Sequence, residues 1–226
     1  MKSIALAAAL VVGTISAVSA QSADDPYPLE VGMSWTYELT ITRGEKSHSI
    51  RYATRAVREE TLDGVECVVL ETKSGKKLLR TAWVSREAGV VREWQTSSQN
   101  GALVQKLREQ PAEGEGEATL GRILLDTTKL EAGAKWSWTS LGGEASGTIA
   151  VLGSAELNTP ALGKLTCVQL EEQGEFRRGE KTAQQVRQLW FAPGYGLVRE
   201  ISTITLPDGR ETTSTATLLA RPKADQ

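Results

Sequence analysis

Three blocks of this sequence recur in the same order about a hundred residues apart, so the fold has to be assembled from two copies of one unit. LEVGMSWTY (Leu29 to Tyr37) matches LEAGAKWSW (Leu130 to Trp138) at an offset of 101. VECVVLE (Val65 to Glu71) matches LTCVQLE (Leu165 to Glu171) at 100, and AWVSREAGVVRE (Ala82 to Glu93) matches LWFAPGYGLVRE (Leu189 to Glu200) at 107. The blocks share 4, 4 and 5 identities over 28 aligned positions. Their constant order argues for duplication, with repeat 1 over 27–108, repeat 2 over 129–220 and a linker over 109–128. The polar Gly/Glu run from Gln110 to Glu117 suits such a connector. The change of offset from 100 to 107 predicts a longer loop in the second copy, within GEFRRGEKTAQQ.

The period inside each copy is close to two. Trp35, Tyr37, Leu39 and Ile41 fall on one face of a segment whose other face is Thr36, Glu38, Thr40 and Thr42. That is the pattern of a half-buried strand. Turn pairs such as Asp63-Gly64, Ser74-Gly75 and Asp208-Gly209 punctuate the runs. No segment sustains an apolar stripe of helical period. The expected fold is mainly β: two tandem pseudo-repeats of about six antiparallel strands each, forming a curved sheet or a half-barrel-like architecture.

The N-terminus reads as an export signal. Lys2 precedes the apolar run Ile4 to Ile15, and Val18 and Ala20 place small residues ahead of a cleavage site. Residues 1–20 are the expected signal peptide, shorter in their apolar part than a membrane span. The expected location is the periplasm or the outside of the cell. A lipidated start would need a cysteine directly after cleavage, and the first is Cys67. With 26 basic and 28 acidic residues there is no positive field to draw nucleic acid, and no later run spans a membrane.

Trp, at 6 residues, outnumbers Tyr at 4 and Phe at 2, and the repeat aligns its positions. Trp35 pairs with Trp136, and Tyr37 with Trp138. These four either fill the core of each unit or line a cavity for an apolar ligand, and they are the candidate ligand-binding residues. Cys67 and Cys167 occupy one repeat position, and either form a disulfide or remain buried thiols. His48 is the single histidine, in what looks like a hairpin turn, so no zinc site of paired histidines can form. Glu113, Glu115 and Glu117 lack the pattern of a calcium loop. No catalytic, metal or cofactor residues are expected. Arg92-Glu93 and Arg199-Glu200 recur in both copies and are expected to be solvated cross-strand charge pairs.

Gly32-Met33-Ser34-Trp35-Thr36-Tyr37 and Trp190-Phe191-Ala192-Pro193-Gly194-Tyr195-Gly196-Leu197-Val198-Arg199 resemble the GxxWxY opening and WxAPGxGLVR hairpin of uncharacterised exported bacterial β-proteins. That group is distantly similar to the lipoprotein-carrier-like fold, a curved antiparallel sheet with an apolar concave face. The resemblance implies a fold and transfers no catalytic residue. Tyr195 departs from the usual Val, and the first copy has Arg86-Glu87 where the second has Pro193-Gly194. The leading expectation is a non-catalytic exported envelope protein binding an apolar or lipid-like ligand in a sheet concavity. The alternatives are a scaffold using sheet edges or the Thr-rich run Glu211 to Leu219, and a hydrolase with carboxylates assembled in space.

Overall fold

The computed structural model describes residues 25–98, 103–110, 121–140, 143–178 and 181–224. The expected signal peptide and its cleavage site lie outside these residues. The first half of the chain builds β1 (Met33–Arg43), β2 (Lys46–Leu62), β3 (Val65–Ser74), β4 (Lys77–Glu87), β5 (Val90–Ser98) and β6 (Leu103–Gln110). A short β7 (Arg122–Asp126) follows. The second half builds β8 (Lys135–Ser140), β9 (Ala145–Thr159), β10 (Gly163–Arg178), β11 (Lys181–Ala192), β12 (Gly196–Thr205), β13 (Glu211–Leu218) and a two-residue β14 (Lys223–Ala224).

Each half is an antiparallel meander, and the halves join at both ends. β6 pairs with β8, and β1 pairs with β13 from Tyr37↔Leu218 to Thr42↔Thr213 as well as with β2. The sheet therefore curls into a twelve-stranded barrel rather than the half-barrel expected from the sequence. Among the described residues closure leaves no long unpaired edge strand, which an open curved sheet would expose. The Thr-rich β13 is thereby a stave between β12 and β1, with Thr203 and Thr213 hydroxyls 3.1 Å apart across the ladder. Its backbone is paired on both sides, so it offers no sheet edge.

The two halves break their ladders at matching places. The β2–β3 ladder slips between Ala56 and Arg58, opposite Leu70 and Val69. The β9–β10 ladder slips between Val151 and Gly153, opposite Leu170 and Gln169. β4 is irregular between Trp83 and Val84, and β11 between Trp190 and Phe191. An extra residue raises the local twist and bends a strand, which helps a sheet curl.

Two expectations are corrected. The longer loop expected within GEFRRGEKTAQQ is instead hairpin: the β10–β11 ladder runs unbroken from Val168↔Phe191 to Arg178↔Lys181. The expected linker over 109–128 contains β7, which pairs with Val90–Glu93 of β5 and buries Arg122, Ile123, Leu125 and Asp126. Its apolar core is three residues long, too short to stand out beside the polar run before it.

Burial falls along β1, from Met33, Trp35 and Tyr37 (8%, 5% and 6% exposed) to an exposed Arg43. The core thus fills the end of the barrel where β1 begins. Leu125, Leu170, Val198 and Leu218 are fully buried there. The incoming segment caps this end. Asp25 pairs with Arg86, its carbonyl accepts the Gly194 amide at 2.7 Å, and Tyr27 packs against Phe191 at 5.8 Å between ring centroids. Toward the β1–β2 turn the barrel is less completely filled.

Candidate binding site

Above this core lies a cavity of about 420 Å³, within the size range of small-molecule sites. Its walls divide by chemistry. One arc, from β13 through β1 and β2 to β3, presents Tyr37, Leu39, Tyr52 and Leu70. Tyr37 and Tyr52 stack at 5.1 Å between ring centroids, 18° from parallel. Period-two alternation puts these side chains inside, and each of their strands runs into the packed base, so the wall is preformed.

The other side carries six charges in alternating order. Arg80 of β4 pairs with Glu93 of β5, and Glu93 takes a second bond from Arg122 of β7 at 2.5 Å. Arg122 also reaches Glu172 of β10 at 3.0 Å. Glu172 accepts from Arg187 of β11 at 2.5 Å, and Arg187 donates through Nε to Glu200 of β12 at 3.0 Å. Three arginines and three glutamates sum to zero charge. Between Arg122 and Glu172 the ladder crosses from one half of the barrel to the other.

Burial would raise the pKa of Glu93, but the charges of Arg80 and Arg122, with the hydrogen bonds of both, bring it down to about 2. Burial opposes ionisation of Glu172 too, and Arg122 and Arg187 hold its carboxyl below the usual range. Both are carboxylates at neutral pH. Desolvation pushes the Tyr27 hydroxyl up to about 12, and raises Tyr52 further, with the Glu200 charge adding to the effect.

Of the four candidate aromatics, the cavity takes two. Trp35 and Tyr37 line it, and their polar atoms are anchored elsewhere: Trp35 Nε1 donates to the Tyr195 carbonyl at 3.0 Å and the Tyr37 hydroxyl to the Leu197 carbonyl at 2.8 Å. Only their apolar faces remain for the cavity. Trp136 and Trp138 are not on its surface. Trp136 is core, donating to the Ile123 carbonyl at 2.8 Å. Trp138 donates to Glu172 at 2.8 Å and lies 4.8 Å beneath the Arg122 guanidinium, so it supports the ladder from behind. Trp138 fits because Gly147 and Gly174, paired across β9 and β10, have no side chains to oppose it.

The expected solvated pairs are corrected as well. Glu93 is 0% exposed, so it is not solvated, while the expected cross-strand pairing holds: Arg80 of β4 faces Glu93, and Arg187 of β11 faces Glu200. Neighbours in a strand point to opposite faces, so Arg92 and Glu93 cannot share one. Val91 and Glu93 do share a face, and both are fully buried. That parity was legible, as was the offset of 107 that relates Arg80 to Arg187 and Glu93 to Glu200. Arg122 and Glu172 carried no such signal.

Cys67 and Cys167 are free and buried. The disulfide considered from the sequence does not form, because β4, β5, β6, β8 and β9 stand between their strands on one side of the barrel. Strands about 4.8 Å apart cannot place such residues within the roughly 7 Å a disulfide allows. Burial raises both thiols to about 11. His48 is exposed on β2, opposite Ile41 and away from the cavity. Among the described residues no group of three His, Cys, Asp or Glu side chains could hold a metal, and no helix is long and apolar enough to cross a membrane.

No family model matches the chain, and no curated protein does. Two solved structures are similar to it. One is "a putative exported protein with YmcC-like fold" from Bacteroides fragilis NCTC 9343, at 14% identity and TM-score 0.47, covering 87% of this chain and 98% of that one. The other is "a putative lipoprotein" from Parabacteroides distasonis ATCC 8503, at 14% identity and TM-score 0.45, covering 90% of this chain and 100% of that one. Likeness at this level assigns no family.

Proposed function

We propose that this chain is a non-catalytic exported binding protein whose barrel cavity takes a ligand with an apolar portion. The cavity itself carries the reading: it is preformed, one side of it is aromatic and aliphatic, and the base beneath it is sealed. Burying a few hundred Å² of apolar ligand at about 25 cal/mol per Å² yields several kcal/mol before association costs, which suits micromolar affinity. Export rests on the Lys2 and Ile4–Ala20 pattern. Duplication is part of the same reading. The matched ladder slips at Val69–Leu70 and Gln169–Leu170, one hundred residues apart, support it.

The hydrolase reading has a specific observation to meet, since Glu93 and Glu172 both border the cavity. A glycosidase pair needs one carboxylic acid held protonated near neutral pH. Here both groups are pulled the other way by arginines. That disfavours acid–base work by this pair.

Trp35 is the tryptophan on the cavity wall and so its natural reporter. Intrinsic emission should change when monomeric single-chain amphiphiles are added. The change should be lost in Trp35→Phe and kept in Trp94→Phe, whose indole bonds to Ser85 at 2.7 Å off the cavity wall. Wild-type emission that no amphiphile moves would remove the binding reading.

A further inference from the structure

We infer that the cavity selects a net-neutral, dipolar headgroup, one carrying both a cation and an anion, on a single apolar chain. The inference rests on the binding reading above and is carried by the order of the ion-pair ladder. Its inner members each have two oppositely charged partners: Glu93 has Arg80 and Arg122, Arg122 has Glu93 and Glu172, Glu172 has Arg122 and Arg187, and Arg187 has Glu172 and Glu200. Among the described residues the two ends have one each. Arg80 has Glu93, and Glu200 has Arg187.

Exposure follows the same order. The Arg80 side chain is 46% exposed and Glu200 23%, against 0% for Glu93 and 4% for Glu172. Both ends line the cavity, so it offers one cation and one anion with coordination to spare. A ligand of either net charge would give the neutral cavity a net charge and satisfy only one of its two ends. A dipolar headgroup answers both ends at once.

The wall between the ends is suited to such a group. Arg80 stands on β4 and Glu200 on β12, and the arc from β13 to β3 that separates them carries the stacked Tyr37 and Tyr52. The Tyr52 hydroxyl lies in the fields of both Glu200 and Arg80, so both ends are near one aromatic surface. An alkylammonium beside Glu200 would rest against a ring face, where the quadrupole attracts cations. An anionic group would bond to the Arg80 guanidinium, whose Nε already donates to Thr96 at 2.9 Å. The apolar chain then follows Leu70, Leu189 and Trp35 toward the base.

The test compares three amphiphiles of one chain length, all kept monomeric: decylphosphocholine, decanoate and decyltrimethylammonium, titrated against the Trp35 emission of the mature protein. Decylphosphocholine should bind about tenfold more tightly than either ionic relative, a difference of about 1.4 kcal/mol. The end residues are the least embedded, so their variants keep the inner ladder. Arg80→Gln leaves a surplus negative charge and should turn the preference to decyltrimethylammonium, and Glu200→Gln should turn it to decanoate. The double variant is neutral again but has lost both contacts, and should bind all three alike. Circular dichroism confirms that each variant is folded. Equal wild-type affinity for the three probes would overturn the headgroup inference and leave the binding reading standing. Binding by none of them would overturn both. Selectivity that the end variants leave unchanged would show that the ladder does not read the headgroup.

Discussion

Replacing Arg122 with methionine tests whether the ladder is a structural unit of the barrel. The side chain is 10% exposed and bridges Glu93 and Glu172, which are 0% and 4% exposed. Breaking a buried ion pair by removing one partner costs about 3–5 kcal/mol. Two features move this case to the lower end. Glu93 keeps Arg80, while Glu172 keeps Arg187 and the Trp138 indole. Methionine also retains apolar bulk and removes the Arg122 Nε–H, a buried donor with no acceptor among the described residues. A loss of about 3 kcal/mol at pH 7 is expected, and for a chain of this size a fall in Tm of about 6–12 °C.

The pH dependence separates this cause from a packing defect. In the wild type the Glu93 pKa is depressed to about 2 from an ordinary 4.5, so its stabilisation is full above about pH 4.5 and is lost as pH falls toward 2. Without Arg122, burial dominates and the carboxyls take up protons at higher pH, relieving the uncompensated charge. The gap between variant and wild type should therefore narrow on acidification. Urea melts followed by circular dichroism at pH 7 and pH 4 measure both quantities. A variant within 1 kcal/mol of wild type at pH 7, or a penalty equal at the two pH values, would refute the argument.

Gly147→Ala should destabilise by about 1–3 kcal/mol in the same melts, because the new Cβ would lie 2.9 Å from both the Gln173 carbonyl and Trp138 Nε1. Alanine at Gly133, where nothing lies within 4 Å, tests only its positive φ of 94° and should cost less. Ellman's reagent should find two thiols in denaturant and react very slowly with the native protein, since Cys67 and Cys167 are 1% and 2% exposed; rapid native labelling would contradict the burial. Intact mass of the exported protein should match a chain beginning at Gln21, and retention of residues 1–20 would remove the export proposal.

How much was legible differs from feature to feature. Alternation in Trp35–Ile41 was enough to identify strands, because a residue's face in an extended chain depends only on its parity. The same rule marked Trp35 and Tyr37 as inward. Applied to Val91 it would also have put Glu93 inside, where the sequence reading expected a solvated charge. The bulges were not legible, because a slip in register belongs to a pair of strands and appears in neither alone.

From sequence alone came the expectation of a mainly β chain of about a dozen strands and of an export-type leader, which rest on neighbours or near-neighbours in the chain, and the aromatic positions aligned by matching blocks about a hundred residues apart. Closure into one barrel belongs to the tertiary structure, because it depends on β1 meeting β13 some 175 residues later. Closure also decided the site. It set Cys67 and Cys167 on strands too far apart to bond, drew Trp136 and Trp138 off the cavity surface, and joined six charges from six strands into one neutral ladder. Isolated charges in such a wall would cost several kcal/mol each, and only the folded geometry supplies the partners that offset the cost.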